Sequence, residues 1–153
     1  MKEHLKPQIS QIAQIKNRNA ERRIELKSVN NYMDRDTRTY AIIGAAMEVH
    51  RTVEPGHLEA VYQECLEIEF KLREIPFISQ PRLEIFYKEQ KLKKFYVPDF
   101  IIYNEVVVEI KAEKSLTKVD EAQLINSLTI SRHSVGLLLN FGEESLRYRR
   151  FVS

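Results

Sequence analysis

The chain has 153 residues, 43% hydrophobic and 30% charged, a balance that supports one globular domain with a modest core and excludes a disordered chain. No apolar run approaches the roughly 18 to 20 residues that span a bilayer, and the Met1-Lys2-Glu3-His4 start lacks the apolar stretch of a signal peptide. The reading is therefore a soluble, cytoplasmic protein with no membrane partner. A net charge of +2 is too weak to announce nucleic-acid binding by itself, so the distribution of charge matters more than its total. The single cysteine, Cys65, excludes an internal disulfide and has no second thiol or His cluster with which to hold zinc; it reads as a small core residue.

Residues 1–33 are polar and basic, with Ile9, Ile12 and Ile15 at helical spacing but too little apolar area for a core. They read as an appended basic arm or helix, frayed or docked on a partner, and residues 34–153 as the domain proper. A first helix is expected after Asp34 or Asp36, running through Val53 with Ile42, Ile43, Ala46, Met47, Val49 and His50 as its apolar face. His50 is given a structural role, because an imidazole at a helix end suits the dipole. Pro55-Gly56 breaks the chain, and a second helix from about His57 to Arg73 carries an apolar arc of Leu58, Val61, Tyr62, Cys65, Leu66, Ile68 and Leu72. Glu59 lies at the edge of that arc and Glu69 within it. A partly desolvated carboxylate is costly unless it meets a metal or a cation.

Beyond Pro76 the stretch ISQPRLEIFYKEQ predicts one strand and a turn near Lys88-Glu89-Gln90, Leu92 to Ile102 a second strand, and Val106 to Ala112 a third. Two basic clusters stand out, Lys88, Lys91, Lys93 and Lys94 before the second strand and Arg147, Arg149 and Arg150 near the C-terminus. They suit a phosphate backbone or, equally, the protection of edge strands against pairing. Thr117 is a plausible N-cap, with Asp120 and Glu121 in the first turn of a helix over Val119 to Ser131. Val135-Gly136-Leu137-Leu138-Leu139 reads as a strand covered on both faces, and Leu146, Tyr148 and Phe151 alternate with arginines in a last strand.

The two runs of YVPDFIIYNEVVVEIK meet at Asn104-Glu105, as in a tight hairpin. Strand alternation points Glu109 and Lys111 one way and Val108 and Ile110 the other, and hairpin closure brings Asp99 opposite or nearly opposite them. Two carboxylates and a lysine thus converge, although a Glu-x-Lys on an exposed strand face is equally a solvated pair. The pattern Pro98-Asp99, a gap, then Glu109-x-Lys111 resembles the PD-(D/E)XK nuclease superfamily. That resemblance implies Mg²⁺ (or Mn²⁺) held by Asp99 and Glu109, which polarises a phosphate and helps to generate hydroxide, with Lys111 orienting the attacking water.

Gly56, Glu59 and Tyr62 spell GxxExxY, and the segment from Ile42 to Phe70 is similar to the opening of the GxxExxY protein family, a compact bacterial branch of the same superfamily. The similarity continues through VPDF, VVVEIKAEKSL and VGLLLNFG, over about residues 36–152. It implies a third metal ligand from Glu59, a bracing role for Tyr62, and a family glutamine at Gln80, open between a bond to a site residue and an ordinary turn. It also implies a Gln-x-x-x-Tyr pattern on the late helix, with Gln123 beside the water or phosphate and Ser127 where the pattern has tyrosine. The fold expected is α/β, a restriction-endonuclease-like mixed sheet of four to five strands flanked by helices in α-β-β-β-α-β order. The function expected is a metal-dependent nuclease acting on nucleic acid, DNA ahead of RNA. The competing readings are a catalytically idle nucleic-acid-binding or protein-interaction module on the same fold, and a structural partner assembling through the basic arm. A homodimer or a protein partner on that arm is open.

Overall fold

The computed structural model describes residues 36–153, so the basic arm expected over residues 1–33 lies outside the described residues. Helix α1 spans Thr37–Val53 and helix α2 spans Glu59–Leu72. Strands follow at β1 Phe77–Ser79, β2 Leu83–Tyr87, β3 Gln90–Tyr96, β4 Phe100–Ile102 and β5 Val106–Lys111. Helix α3, Lys118–Ser131, then leads to β6, Val135–Asn140, and β7, Arg147–Val152.

Five strands form one mixed sheet in the order β1-β4-β5-β6-β7, while β2 and β3 form a separate two-stranded ribbon. Among the described strands only the β5–β6 pair is parallel, and α3 is the crossover that a parallel connection needs. The alternation of β4 and β5 divides the core. Phe100, Ile102, Val106, Val108 and Ile110 pack with Ile42, Ala46, Leu66 and Phe70 of α1 and α2. Ile101 and Val107 pack instead with Leu124 and Leu128 of α3. The sheet is therefore sandwiched, with α1 and α2 on one face and α3 on the other, and Glu109 and Lys111 share the face of Val107.

The expected strand from Leu92 to Ile102 is broken, because Val97-Pro98-Asp99 separates β3 from β4. Pro98 has no N–H to give to a ladder, and the Asp99 side chain accepts the Ile110 N–H at 2.6 Å in place of a strand bond. The single strand expected after Pro76 is likewise two, divided at Gln80-Pro81-Arg82, where Gln80 has φ +49°. The hairpin turn is centred one residue earlier than expected, with Tyr103 and Asn104 both left-handed and Glu105 N–H donating to the Ile102 carbonyl at 3.1 Å.

The helix faces also differ from expectation. In α2 Tyr62 and Leu66 of the expected arc are buried together with Gln63 and Phe70, while Val61, Ile68, Leu72 and the N-cap Leu58 are exposed. Burying Tyr62, Leu66 and Phe70 contributes on the order of 1.5 to 3 kcal/mol each, so this face wins over the longer but more exposed stripe. In α1 Met47 is exposed and Ala45 takes its place in the core. Cys65 is partly buried against the core, close to the expected role.

One contact fixes the end of β5. The buried Asn140 amide donates to the Glu113 carbonyl at 2.9 Å and its oxygen accepts Glu113 N–H at 2.9 Å, which pins the chain just past Lys111. Gly142 lets the backbones close here, since a Cβ on it would sit 2.3 Å from the Glu113 oxygen. Gly142→Ala is therefore expected to cost more than about 2 kcal/mol. Gly56→Ala, at φ +112° with open space around it, is expected to cost only about 1 kcal/mol. Thermal melting of the two variants checks the order, and a Gly142→Ala protein as stable as wild type would contradict the close approach.

Candidate metal centre

Extending the β4–β5 register from Phe100 opposite Val108 sets Asp99 opposite Glu109. Both carboxylates are held by named donors. Oδ2 of Asp99 takes the Ile110 N–H, and Oε1 of Glu109 takes the Tyr96 hydroxyl and, at 3.2 Å, the Ser127 hydroxyl. The backbone under Asp99 is fixed by Gln80 N–H at 2.9 Å and by the Gln63 amide at 3.1 Å, both donating to the Asp99 carbonyl. Gln80 is thus a left-handed turn residue that serves the site through its backbone.

Lys111 projects from the same face as Glu109. Its Nζ donates to Gln123 Oε1 at 2.9 Å and lies 3.5 Å from Asp120 Oδ1. Asp120 is the third residue of a capping box with Thr117 at the start of α3, so the cap that opens the helix also seats the lysine. Burial pushes the Asp120 carboxyl up, but the Thr117 donors and Lys111 outweigh it and hold the group below its ordinary range. Glu59 reaches the same corner from α2. Partial burial raises its pKa, Asp99 and Glu113 raise it further, and Lys111 and the Ala112 backbone oppose them.

The structure therefore brings Asp99, Glu109, Lys111 and Gln123 together and sets Glu59 beside them. Sequence reading missed Tyr96, whose hydroxyl lies against both Glu109 and Ser127, and missed Gln63 and Asp120. The Ser127 departure was the available signal for Tyr96, since a small residue there leaves room for a hydroxyl from elsewhere. Tyr62 donates its hydroxyl to the Glu54 carbonyl at 2.7 Å and stacks on Phe141 with ring centroids 4.6 Å apart. It braces the core and the turn before α2. His50 is buried, donates Nε2 to the Glu143 carbonyl at 2.8 Å and so keeps a structural part. Glu69 meets a cation, Arg73 Nε at 2.6 Å. A pocket of about 680 Å³ near the end of α1 is lined by Met47, His50, Arg51 and Glu144 and holds none of the converging carboxylates.

A family model of the PD-(D/E)XK nuclease superfamily matches residues 36–151. The chain belongs to this superfamily. No curated relative and no solved structure matches it. Members of the superfamily generally use divalent metals. Among the described residues no three His, Cys, Asp or Glu side chains converge as a ready cage. Mg²⁺, however, takes one or two carboxylates and completes its shell with water and phosphate oxygens. Asp99 and Glu109 supply that number of carboxylates, with Oδ2 of one and Oε1 of the other hydrogen-bonded to protein donors.

Burial raises Glu109 to about 7, and the neighbouring Asp99 adds to the rise. Burial raises Asp99 as well. Folding therefore takes up a proton at Glu109 between its ordinary 4.5 and about 7. The stability tied to that proton is complete below the lower value and lost as pH rises through the upper one. Glu109→Gln is expected to flatten the fall in stability between about pH 4.5 and 7 and, at about pH 8, to exceed wild type by on the order of 1 to 3 kcal/mol without metal. Melting curves across pH check this, and an unchanged pH slope in the variant would contradict it.

Proposed function

We propose that the chain is a metal-dependent nuclease of the GxxExxY branch, hydrolysing phosphodiester bonds in nucleic acid. The observation that carries this reading is the face-sharing of Asp99, Glu109 and Lys111 at the end of β5, with two carboxylates meeting at one partly buried corner. Asp99 and Glu109 would hold Mg²⁺ or Mn²⁺, with Glu59 adding a ligand directly or through water. Bound there, the ion supplies Lewis-acid polarisation of the scissile phosphate.

The chain's own residues divide the remaining work. Lys111, held by Gln123 and Asp120, places an ammonium where negative charge develops on the phosphate and orients the incoming water. Gln123 is a positioning residue in this account, because its amide oxygen fixes the lysine and leaves its NH₂ toward solvent or a phosphate oxygen. Tyr96 and Ser127 orient the Glu109 carboxylate through hydrogen bonds to its Oε1.

Isothermal titration with Mn²⁺ is expected to lose its binding signal in Asp99→Ala and in Glu109→Ala while circular dichroism keeps the fold. Unchanged affinity in both variants would refute the metal site. Cleavage of mixed DNA and RNA substrates is expected to need Mg²⁺ or Mn²⁺, to stop with EDTA, and to fall by at least about 100-fold in Lys111→Ala. A protein that neither cuts nor binds metal would instead be an idle binding module on this fold.

A further inference from the structure

Apart from Tyr96 at its end, the β2–β3 ribbon has no part in the proposed chemistry. It pairs with no other strand, and its Leu83 anchors it to the α3 side of the core. Ile85 and Tyr96 are partly buried as well, and the remaining side chains face outward. Phe86, Tyr87 and Phe95 are 53%, 66% and 45% exposed. From Arg82 to Tyr96 the ribbon carries five cations, Arg82, Lys88, Lys91, Lys93 and Lys94, against two carboxylates, Glu84 and Glu89. The Arg82 guanidinium lies 3.6 Å over the Phe95 ring, and the Lys88 ammonium lies 5.7 Å from the centre of the Tyr87 ring. Arg82, Lys93, Lys94 and Phe95 line a pocket of about 220 Å³ together with Leu92 and the Lys91–Glu84 ion pair.

Lysines alone would be explained by edge protection, since a ribbon with two open edges invites pairing with another chain. Exposed aromatic rings are not, because they add the stickiness that such lysines are there to suppress. Aromatic rings interleaved with cations match one chemistry better, that of a strand whose bases are unpaired. Each free base offers a π-face for stacking and each phosphate a counter-charge, whereas a duplex keeps its base faces covered. The ribbon is also continuous with the carboxylates. Tyr96 closes β3 with its hydroxyl on Glu109, and Asp99 follows across Val97-Pro98.

We infer that the β2–β3 ribbon is a binding platform for single-stranded nucleic acid, which it delivers to the Asp99–Glu109 corner. The delivery rests on the nuclease reading; the binding does not. The test uses the full chain in EDTA and fluorescence anisotropy with labelled oligodeoxythymidine, oligouridine and a DNA duplex of equal length. Wild type is expected to bind a single strand more tightly than the duplex. The double variant Phe86→Ala, Tyr87→Ala is expected to weaken that binding about tenfold or more with little change in salt dependence. Lys91→Glu with Lys94→Glu is expected to lower the slope of log affinity on log salt by about one or more.

Tighter binding of either single strand than of duplex supports the platform, and the stronger of the two names its sugar. Absence of single-strand binding, tighter duplex binding, or wild-type affinity in a folded Phe86→Ala, Tyr87→Ala protein would overturn it. Mn²⁺ titration of the same proteins separates the two ideas. A wild type that binds strand but no Mn²⁺ removes the nuclease reading and keeps the platform, and a ribbon variant with full Mn²⁺ and strand affinity does the reverse.

Discussion

Two carboxylates facing each other across a pair of strands repel, and partial burial makes the repulsion worse. Asp99 and Glu109 are in that position, and the rest of the domain is arranged to keep them there. The Ile110 amide, the Tyr96 and Ser127 hydroxyls and the nearby Lys111 offset part of the cost. What is left appears as a proton retained at Glu109 up to about 7. A divalent cation would replace that proton and relieve the same repulsion, which is how an unfavourable pair becomes a binding site.

Three separate parts of the fold serve that corner. The parallel β5–β6 pair, with Asn140 clamping Glu113, fixes the end of the strand that carries Glu109 and Lys111. The capping box of α3 fixes Asp120 and, through it, the lysine. The turn at Gln80 and the buried Gln63 fix the backbone of Asp99. The supports come from α2, α3 and β6 as well as the hairpin, so the site depends on the whole sandwich and not on the hairpin alone.

Much of this was legible before folding. Period-two alternation in YVPDFIIYNEVVVEIK put Glu109 and Lys111 on one face and Asp99 opposite them, because a hairpin leaves few other registers. The apolar run at Val135 to Leu139 and the helix before it implied the parallel crossover. The buried face of α2 was legible only in part, since Tyr62 and Leu66 lay in the expected arc beside residues that prove exposed. Its apolar residues surround most of the helix, so periodicity admits both the 62–66–70 face and the 58–61–65–68–72 stripe, and only tertiary packing chooses. The break at Pro98-Asp99 was hidden because β-branched and aromatic residues flank it on both sides. Tyr96 was hidden for a different reason, since its partners Glu109 and Ser127 are 13 and 31 residues away. Ser127 at the tyrosine position read as a loss; in the fold it makes room for a hydroxyl from β3.

The most direct test of the central claim is an anomalous difference map from crystals of the protein soaked in Mn²⁺. The account predicts a peak in contact with carboxylate oxygens of both Asp99 and Glu109. A map with no peak at that corner, or with Mn²⁺ only on surface carboxylates elsewhere, would contradict it.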